Sequence, residues 1–343
     1  MRIAYIGPAR GTSLHRARAL ERLGHEVQII DPWDWLGRSK WVSRWLFYAG
    51  GFGSDWLISR RIINSVLHLG PDLIWINNGE FLGHSVLSDL RKIHAVIVNY
   101  SNDNPYAAKN EMRWRHFKKA IPFYDLIVTT FEEAKQKLIR SGARQVMRVF
   151  LSADEVAHRI LDLSPEDYSR FGAEVSFIAQ WAPERGPFIK ALIERDVPVS
   201  IWGIHWQKAP EWRYLKGSWR GPGMFDERFG KVIQASKISL CLLSKSARNL
   251  HTGRSIIIPV MGGLLCAERS SEHLYLYEEG KEAVFWSSVD ECAELCRELL
   301  ADDAKRAEIA RFGRERALRN NLFNEPIMAS VVNEAVCIHK SKT

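Results

Sequence analysis

Arg254 stands in a stretch whose residue types suit a phosphate. Residues 251–263 read HTGRSIIIPVMGG, a polar, basic turn that runs into an apolar segment ending in two glycines. A guanidinium at the head of such a segment supplies charge, with His251 and Thr252 beside it. Gly262 and Gly263 leave a bare backbone for close approach. A buried strand between ordinary turns fits the same letters. Arg185 and Lys190 repeat the theme in QWAPERGPFIKAL (180–192), where a cation beside a helix N-terminus suits a diphosphate. A plain surface arginine is the alternative for Arg185.

Two further places could hold polar chemistry. The turn GPARGTS (7–13) opens a helix, so the amides of Gly11, Thr12 and Ser13 could hold an anion. It is not the G-x-G-x-x-G of dinucleotide sites, and Asp31 only loosely meets the acidic position expected about 20 residues on. Asp103, in NYSNDNPY, follows a strand and could act as a base, bind hydroxyls or simply make a turn before Pro105. His84, after WINNGEFLG, is the second candidate base, or a structural histidine.

These residues need a scaffold, and the spacing of apolar runs supplies one. RIAYIG (2–7), HEVQIID (25–31), DLIWINN (72–78), HAVIVNY (94–100) and DLIVTT (125–130) read as strands separated by amphipathic helices. Continuous apolar strands alternating with helices predict a parallel sheet covered on both faces. The rhythm breaks at 153–173, a polar stretch with a Ser-Pro helix start, which is expected to connect two domains. It resumes with EVSFIAQ (174–180), VPVSIWG (197–203), a helix near Phe225 to Ala235, ISLCLLS (238–244), GGLLCAE and EAVFW. The expected domains are 1–152 and 174–320, with 321–343 a tail that could return to the first. Two such sheets leave a cleft for a ligand.

Composition narrows the class. The 343 residues are 46% hydrophobic and 26% charged, and no apolar run approaches the roughly 18 residues of a membrane span. The N-terminus reads as a strand rather than a signal peptide, so a cytoplasmic protein with reduced cysteines is expected; no CxxC or Cys/His cluster suggests zinc. Residues 1–150 hold 22 Lys+Arg against 13 Asp+Glu, +9, and the remainder 26 against 27, −1. The basic half carries DPWDWLGRSKWVSRWLFYAGGFGSDWLISRRI, which suits a membrane surface, an anionic partner or a carbohydrate platform, or else a helical hairpin burying its aromatics. No nucleic-acid-binding motif accompanies the charge.

In order, VSFIAQWAPERGPFIKALIERDVPVSIWG, ASKISLCLLS, HTGRSIIIPVMGGLLCAERSSEHLYLYEEGKEAVFWSSVDECAEL and RAEIARFGRERAL resemble the CgeB-type (spore maturation protein) glycosyltransferase-like family. The resemblance is close over 174–320 and looser before it. It implies the α/β GT-B fold, two Rossmann-like parallel-sheet domains facing a central cleft. A nucleotide-sugar donor would bind the second domain, and a glycan, lipid-linked or protein acceptor the first. Arg185 and Arg254 would neutralise the donor diphosphate as the glycosidic bond breaks, with Gly262 and Gly263 close to the donor. Base and ribose would rest near Ile201–Gly203, including Trp202, and near Ala267–Arg269. No cofactor or metal is implied, retention is the family expectation, and the leaving diphosphate can take the acceptor proton.

One departure stands out. Related retaining enzymes carry two glutamates eight positions apart, the second on the ribose hydroxyls; here Asn249 and Ile257 occupy those places. Glu268 or Glu272 would have to take that role, or the donor is held differently, or activity is lost. Three readings remain: a glycosyltransferase, a sugar-nucleotide epimerase with the same donor site, and a degenerate domain that binds a sugar nucleotide or a partner protein.

Overall fold

The computed structural model describes residues 1–37, 39–49, 51, 53–107, 112–224 and 226–342. The chain forms two compact units, Met1–Phe150 with Ser246–Arg248 and Asn324–Thr343, and Leu151–Lys245 with Asn249–Phe323. In the first, β1 (Arg2–Ile6), β2 (Glu26–Ile30), β3 (Leu73–Asn77), β4 (Val96–Ser101), β5 (Leu126–Thr129) and β6 (Val146–Arg148) form one sheet in the order β2-β1-β3-β4-β5-β6. Every pairing is parallel. The three central strands β3, β4 and β5 are buried at every position, as apolar runs must be when helices cover both faces.

The second unit repeats the plan. β7 (Ala173–Ile178), β8 (Val199–Trp202), β9 (Trp219–Gly221), β10 (Ser236–Cys241), β11 (Leu265–Glu268) and β12 (Val284–Trp286) run parallel in the order β12-β11-β10-β7-β8-β9. Strand order therefore reverses between β1 and β3 in one sheet and between β7 and β10 in the other. At such a reversal the connections leave to opposite sides and open a crevice at the carboxyl ends of the strands. The edge strands β6 and β9 have three residues each and no apolar run, so nothing in the sequence announces them.

Residues 153–173 do not form a free connection. Ala153 bridges to Phe323, Ser164 caps the helix Pro165–Phe171 by accepting the Asp167 amide, and Asp167 pairs with Lys231 at 3.0 Å. The segment lies wholly in the second unit because these contacts tie it there. The last helix, Asn324–Lys342, belongs to the first unit, where Glu325 pairs with Arg22 at 2.5 Å. The helix placed near Phe225 runs Asp226–Ala235; Phe225 itself, and the Trp56 side chain in the tryptophan-rich stretch, lie outside what the structure describes. Trp33, Trp35 and Trp45 of that stretch pack on the first core, and Trp41 is 78% exposed. No helix among the described residues is long and apolar enough to cross a membrane.

Gly203 closes β8 where a side chain has no room: an added Cβ would lie 1.8 Å from the Ala179 carbonyl oxygen and 2.7 Å from the Trp206 indole nitrogen. That nitrogen donates to the same carbonyl at 2.8 Å. Gly203→Ala must separate β8 from the Ala179 turn, so a loss of roughly 2–3 kcal/mol is expected in chemical denaturation. An unchanged midpoint would mean that the turn can move freely.

Candidate functional site

Within residues 251–263 the apolar segment is a helix, not a strand. Thr252 precedes Gly253–Val260 and turns its amide onto the Ser255 hydroxyl at 3.0 Å, starting the helix. Pro259 lacks the amide that would bond the Ser255 carbonyl, and the Tyr277 hydroxyl donates to that carbonyl instead at 2.9 Å. The two glycines are the stop signal. Gly262 has φ +78°, its amide bonds the Pro259 carbonyl, and the Gly263 amide bonds the Ile258 carbonyl, both at 2.9 Å. Gly263 is further pinned by packing, since a Cβ there would meet Ile233 at 2.6 Å. Eight residues at 1.5 Å each place the glycines roughly 12 Å beyond Arg254, so they end the helix and do not admit a ligand beside the guanidinium.

Arg254 therefore lies in the first turn of a helix that follows β10, and its Nη1 donates to the Ile178 carbonyl at the end of β7, at 3.1 Å. Arg185 begins the helix Arg185–Ile193 that follows β7 and donates to the Gln180 carbonyl at 2.7 Å. Both guanidiniums thus gather at the β7–β10 reversal. Arg185 is 7% exposed, and the Nε atoms of both arginines are buried without a partner. Among the described residues neither forms an ion pair, unlike the buried Arg306, which has Asp303. Burial first, and then the charge of Arg254, lower Arg185 to about 10, with Glu184 acting in the opposite sense. Two neighbouring positive charges without an ion pair at one strand end are costly, and an anion joining them relieves that cost.

The other donor-side candidates divide. Lys190 faces away: it pairs with Glu194 at 2.8 Å and lies 4.7 Å from the Tyr214 ring centroid, so it serves the helix surface. Trp202 is a core side chain, 2% exposed, and offers no platform to a base; Gly203 is fixed by the packing described above. His251 is 3% exposed, accepts the Leu151 amide on Nε2 at 3.0 Å and holds the Glu272 carboxylate through Nδ1. That pair shapes the loop ahead of the Arg254 helix, which engages Glu272 in structure rather than leaving it for ribose. Glu268 ends β11, accepts the Leu243 amide at 3.3 Å and pairs with Lys245. Ile257 is 9% exposed, and a Cβ at Gly253 would lie 3.7 Å from its terminal methyl.

His273 was not legible as a site residue, because its partners are distant in sequence. It is fully buried, with Nε2 against the Ser255 hydroxyl at 2.7 Å and Nδ1 against the Glu268 carbonyl at 2.6 Å. Burial lowers it to about 4. The ring is neutral, donates from Nδ1 to the carbonyl and accepts from the hydroxyl, joining the Arg254 helix to the end of β11. Cys266, Cys292 and Cys296 also converge, their sulfurs within 4.8 Å of one another in the second core. Sequence spacing hid this cluster, since Cys266 comes from a strand and the others from one helix. Hydrogen bonding to the other two sulfurs, then burial, raise the Cys266 thiol well above its ordinary value.

In the first unit Arg113 bridges two carboxylates, Glu80 at 2.5 Å and Asp103 at 3.0 Å. Asp103 keeps a half-exposed side chain, whereas burial raises the Glu80 carboxyl against the pull of Arg113. Glu80 lines a recess at the β1–β3 reversal with Gly7, Pro8, Pro32, Trp33 and Asn77. It lies three residues past β3, and nothing in its sequence neighbourhood marks it as buried. His84 is not part of this cluster. It opens the helix His84–Leu90 and is exposed, with the Phe123 ring centroid 6.3 Å away. Gly11, Thr12 and Ser13 form the first turn of the helix Gly11–Arg22, which has no side-chain cap and no acidic residue in that turn.

Comparison with known proteins identifies the architecture. Residues 185–328 match a family model described as glycosyl transferase-like. The structure is similar to sucrose-phosphate synthase from Thermosynechococcus elongatus, with TM-score 0.68, 13% identity and all of both chains covered. It is similar to Anabaena HepE in complex with UDP and glucose, with TM-score 0.70, 14% identity and 98% and 99% of the two chains covered. A third likeness is to α,α-trehalose 6-phosphate synthase from Burkholderia multivorans, with TM-score 0.66, 12% identity and 100% and 99% covered. No curated protein matches in sequence. The fold is GT-B.

Proposed function

We propose that this chain is a glycosyltransferase that draws a sugar from a nucleoside diphosphate donor held on the second unit. The observation that carries the reading is the pair Arg185 and Arg254 at the β7–β10 reversal, Arg185 buried and Arg254 partly so, each with a buried, unpartnered Nε and, among the described residues, no ion pair. A donor diphosphate supplies the missing negative charge, and that charge grows as the glycosidic bond breaks, so the same two groups favour the transition state. Similarity to a protein in complex with UDP and glucose supports UDP-hexose as the first donor to try. Within this reading the chain stands nearest the CgeB-type transferases and works with retention. Its two guanidiniums do the electrostatic work at the diphosphate without a metal, and the leaving diphosphate takes the acceptor proton. Glu268, at the end of β11, would exchange its Leu243 and Lys245 partners for the ribose hydroxyls. The acceptor binds the first unit, where Asp103 and the Gly11–Ser13 turn offer polar groups, and the chain works in the cytoplasm.

A second reading rests on Ile257: an isoleucine cannot bond a ribose diol, so the unit would bind a sugar nucleotide without turnover. Donor hydrolysis separates the two. Wild type incubated with UDP-glucose and other nucleotide sugars is expected to release nucleoside diphosphate slowly, and Arg254→Met to abolish the release. Binding without release in wild type, with release appearing in Ile257→Glu, would establish the degenerate reading.

A further inference from the structure

Among the described residues three arginines are less than a tenth exposed: Arg16, Arg185 and Arg306. Arg306 pairs with Asp303 and donates to the Leu299 and Leu300 carbonyls. Arg185 belongs to the site already described. Arg16 remains, 4% exposed in the first unit and far from either explanation.

Its surroundings are all neutral. Nη2 donates to the Asn77 side-chain oxygen at 2.8 Å, and the guanidinium lies 4.9 Å from the Tyr100 ring centroid. The Asn102 amide, with its oxygen turned to the guanidinium, accepts from both Nη atoms at 2.8 and 2.9 Å. Nε is buried without a partner, and among the described residues Arg16 forms no ion pair. A structural tie between β3 and β4 needs donors but not a full charge, and a buried charge without a counterion is unfavourable by several kcal/mol before relaxation.

The position of Arg16 says where the counterion would sit. Tyr5 links the first turn of its helix to its own partner: the phenol donates to the Ser13 carbonyl at 2.9 Å and lies 3.2 Å from both the Ser13 hydroxyl and the Asn77 side-chain oxygen. Gly7 fits between these groups only because it lacks a Cβ, which would come 2.7 Å from Asn77 and 3.2 Å from the Ser13 hydroxyl. The turn at Gly7, the uncapped start of the Gly11–Arg22 helix and Arg16 thus converge at the β1–β3 reversal. Two acidic side chains on the loops after β2 and β3 are engaged elsewhere: Asp31 accepts the Ala9 and Trp33 amides, and Glu80 pairs with Arg113. Twelve residues of helix and a guanidinium make a site for a tetrahedral oxyanion.

We infer that the first unit holds an anion subsite at Arg16 and the Gly11–Ser13 turn that takes a phosphate group carried by the acceptor. This deepens the transferase reading and rests on it for the word acceptor; the subsite itself can be tested without it. In the full-length Arg185→Met/Arg254→Met chain the donor-side charge is gone. Inorganic phosphate is expected still to bind this double variant, read by ³¹P line broadening and thermal shift. Adding Arg16→Gln should weaken that binding at least tenfold, with Arg16→Lys between the two. No phosphate binding by the folded double variant overturns the inference, and so does equal binding with and without Arg16. Should Arg16→Gln not fold, Arg16→Lys carries the comparison, and an unchanged affinity there is contrary. Competition by a hexose phosphate would mark a soluble acceptor. Retention on polyprenyl phosphate vesicles, lost in Arg16→Lys, would mark a lipid headgroup. Failure of nucleoside diphosphate to bind wild type would instead strike the donor reading and leave the phosphate result standing.

Discussion

Arg185→Met is expected to make the unliganded chain more stable while weakening nucleoside diphosphate binding roughly a hundredfold, and Arg254→Met to weaken that binding alike. Arg185 is lowered to about 10 by burial and by Arg254, so carrying its charge costs the fold about 3 kcal/mol. Methionine keeps the volume and drops the charge, at the loss of one hydrogen bond to the Gln180 carbonyl, worth about 1–2 kcal/mol. The net gain is on the order of 1 kcal/mol in chemical denaturation. Binding moves the other way, because a charge-assisted bond to phosphate disappears. Lys190→Met, on a side chain held by Glu194 and Tyr214, should leave binding unchanged. A site residue whose removal stabilises the empty protein is the mark of a group kept for its ligand. Destabilisation of the empty chain together with full retention of affinity would make both arginines structural.

The second large effect is a loss of stability in acid that passes through His273. Its folded value, about 4, lies below the ordinary 6.5 because burial disfavours the imidazolium. Above pH 6.5 neither the folded nor the unfolded state binds the proton, and this group adds no pH dependence. Between 6.5 and about 4 only the unfolded state takes it up, so stability falls as the pH falls; below about 4 both states are protonated and the loss levels off. One proton over that window amounts to roughly 3 kcal/mol. Wild type should lose that much more than His273→Gln as the pH is taken from neutral to just above the folded value, read by urea denaturation of both proteins. Parallel profiles would show that the ring already takes a proton in the folded state. Since His273 holds Ser255 on the Arg254 helix and stays neutral in the folded state down to about pH 4, nucleotide affinity is expected to weaken through this contact only near and below that value.

The strands of both sheets were legible because parallel strands buried on two faces must be largely apolar, and ten of the twelve read so. β6 and β9 are not announced because these short edge strands are only partly buried, unlike β12, which is as short but buried at all three positions. Arg185 and Arg254 stand out in the sequence by residue type and position after a strand, and the structure brings the two charges near each other across 69 residues of sequence. The glycine pair was read with the wrong partner. Its letters fit both close approach and a helix stop, and only the positive φ of Gly262 with the Ile258–Gly263 bond decides for the stop. The pairing of His251 with Glu272 is not legible in the sequence, because it needs a loop geometry that spacing does not encode. Glu80, Arg16 and His273 were missed for a related reason: each acquires its meaning from burial and from partners on other elements.

The account stands most directly on the diphosphate. Calorimetric titration of the wild-type chain with UDP, GDP, dTDP and ADP, each against its own nucleoside, isolates that group from the base. One diphosphate should bind at least a hundredfold tighter than its nucleoside, and the difference should vanish in the Arg185→Met/Arg254→Met variant. Absence of binding by every diphosphate, or a preference that survives the loss of both arginines, would contradict it.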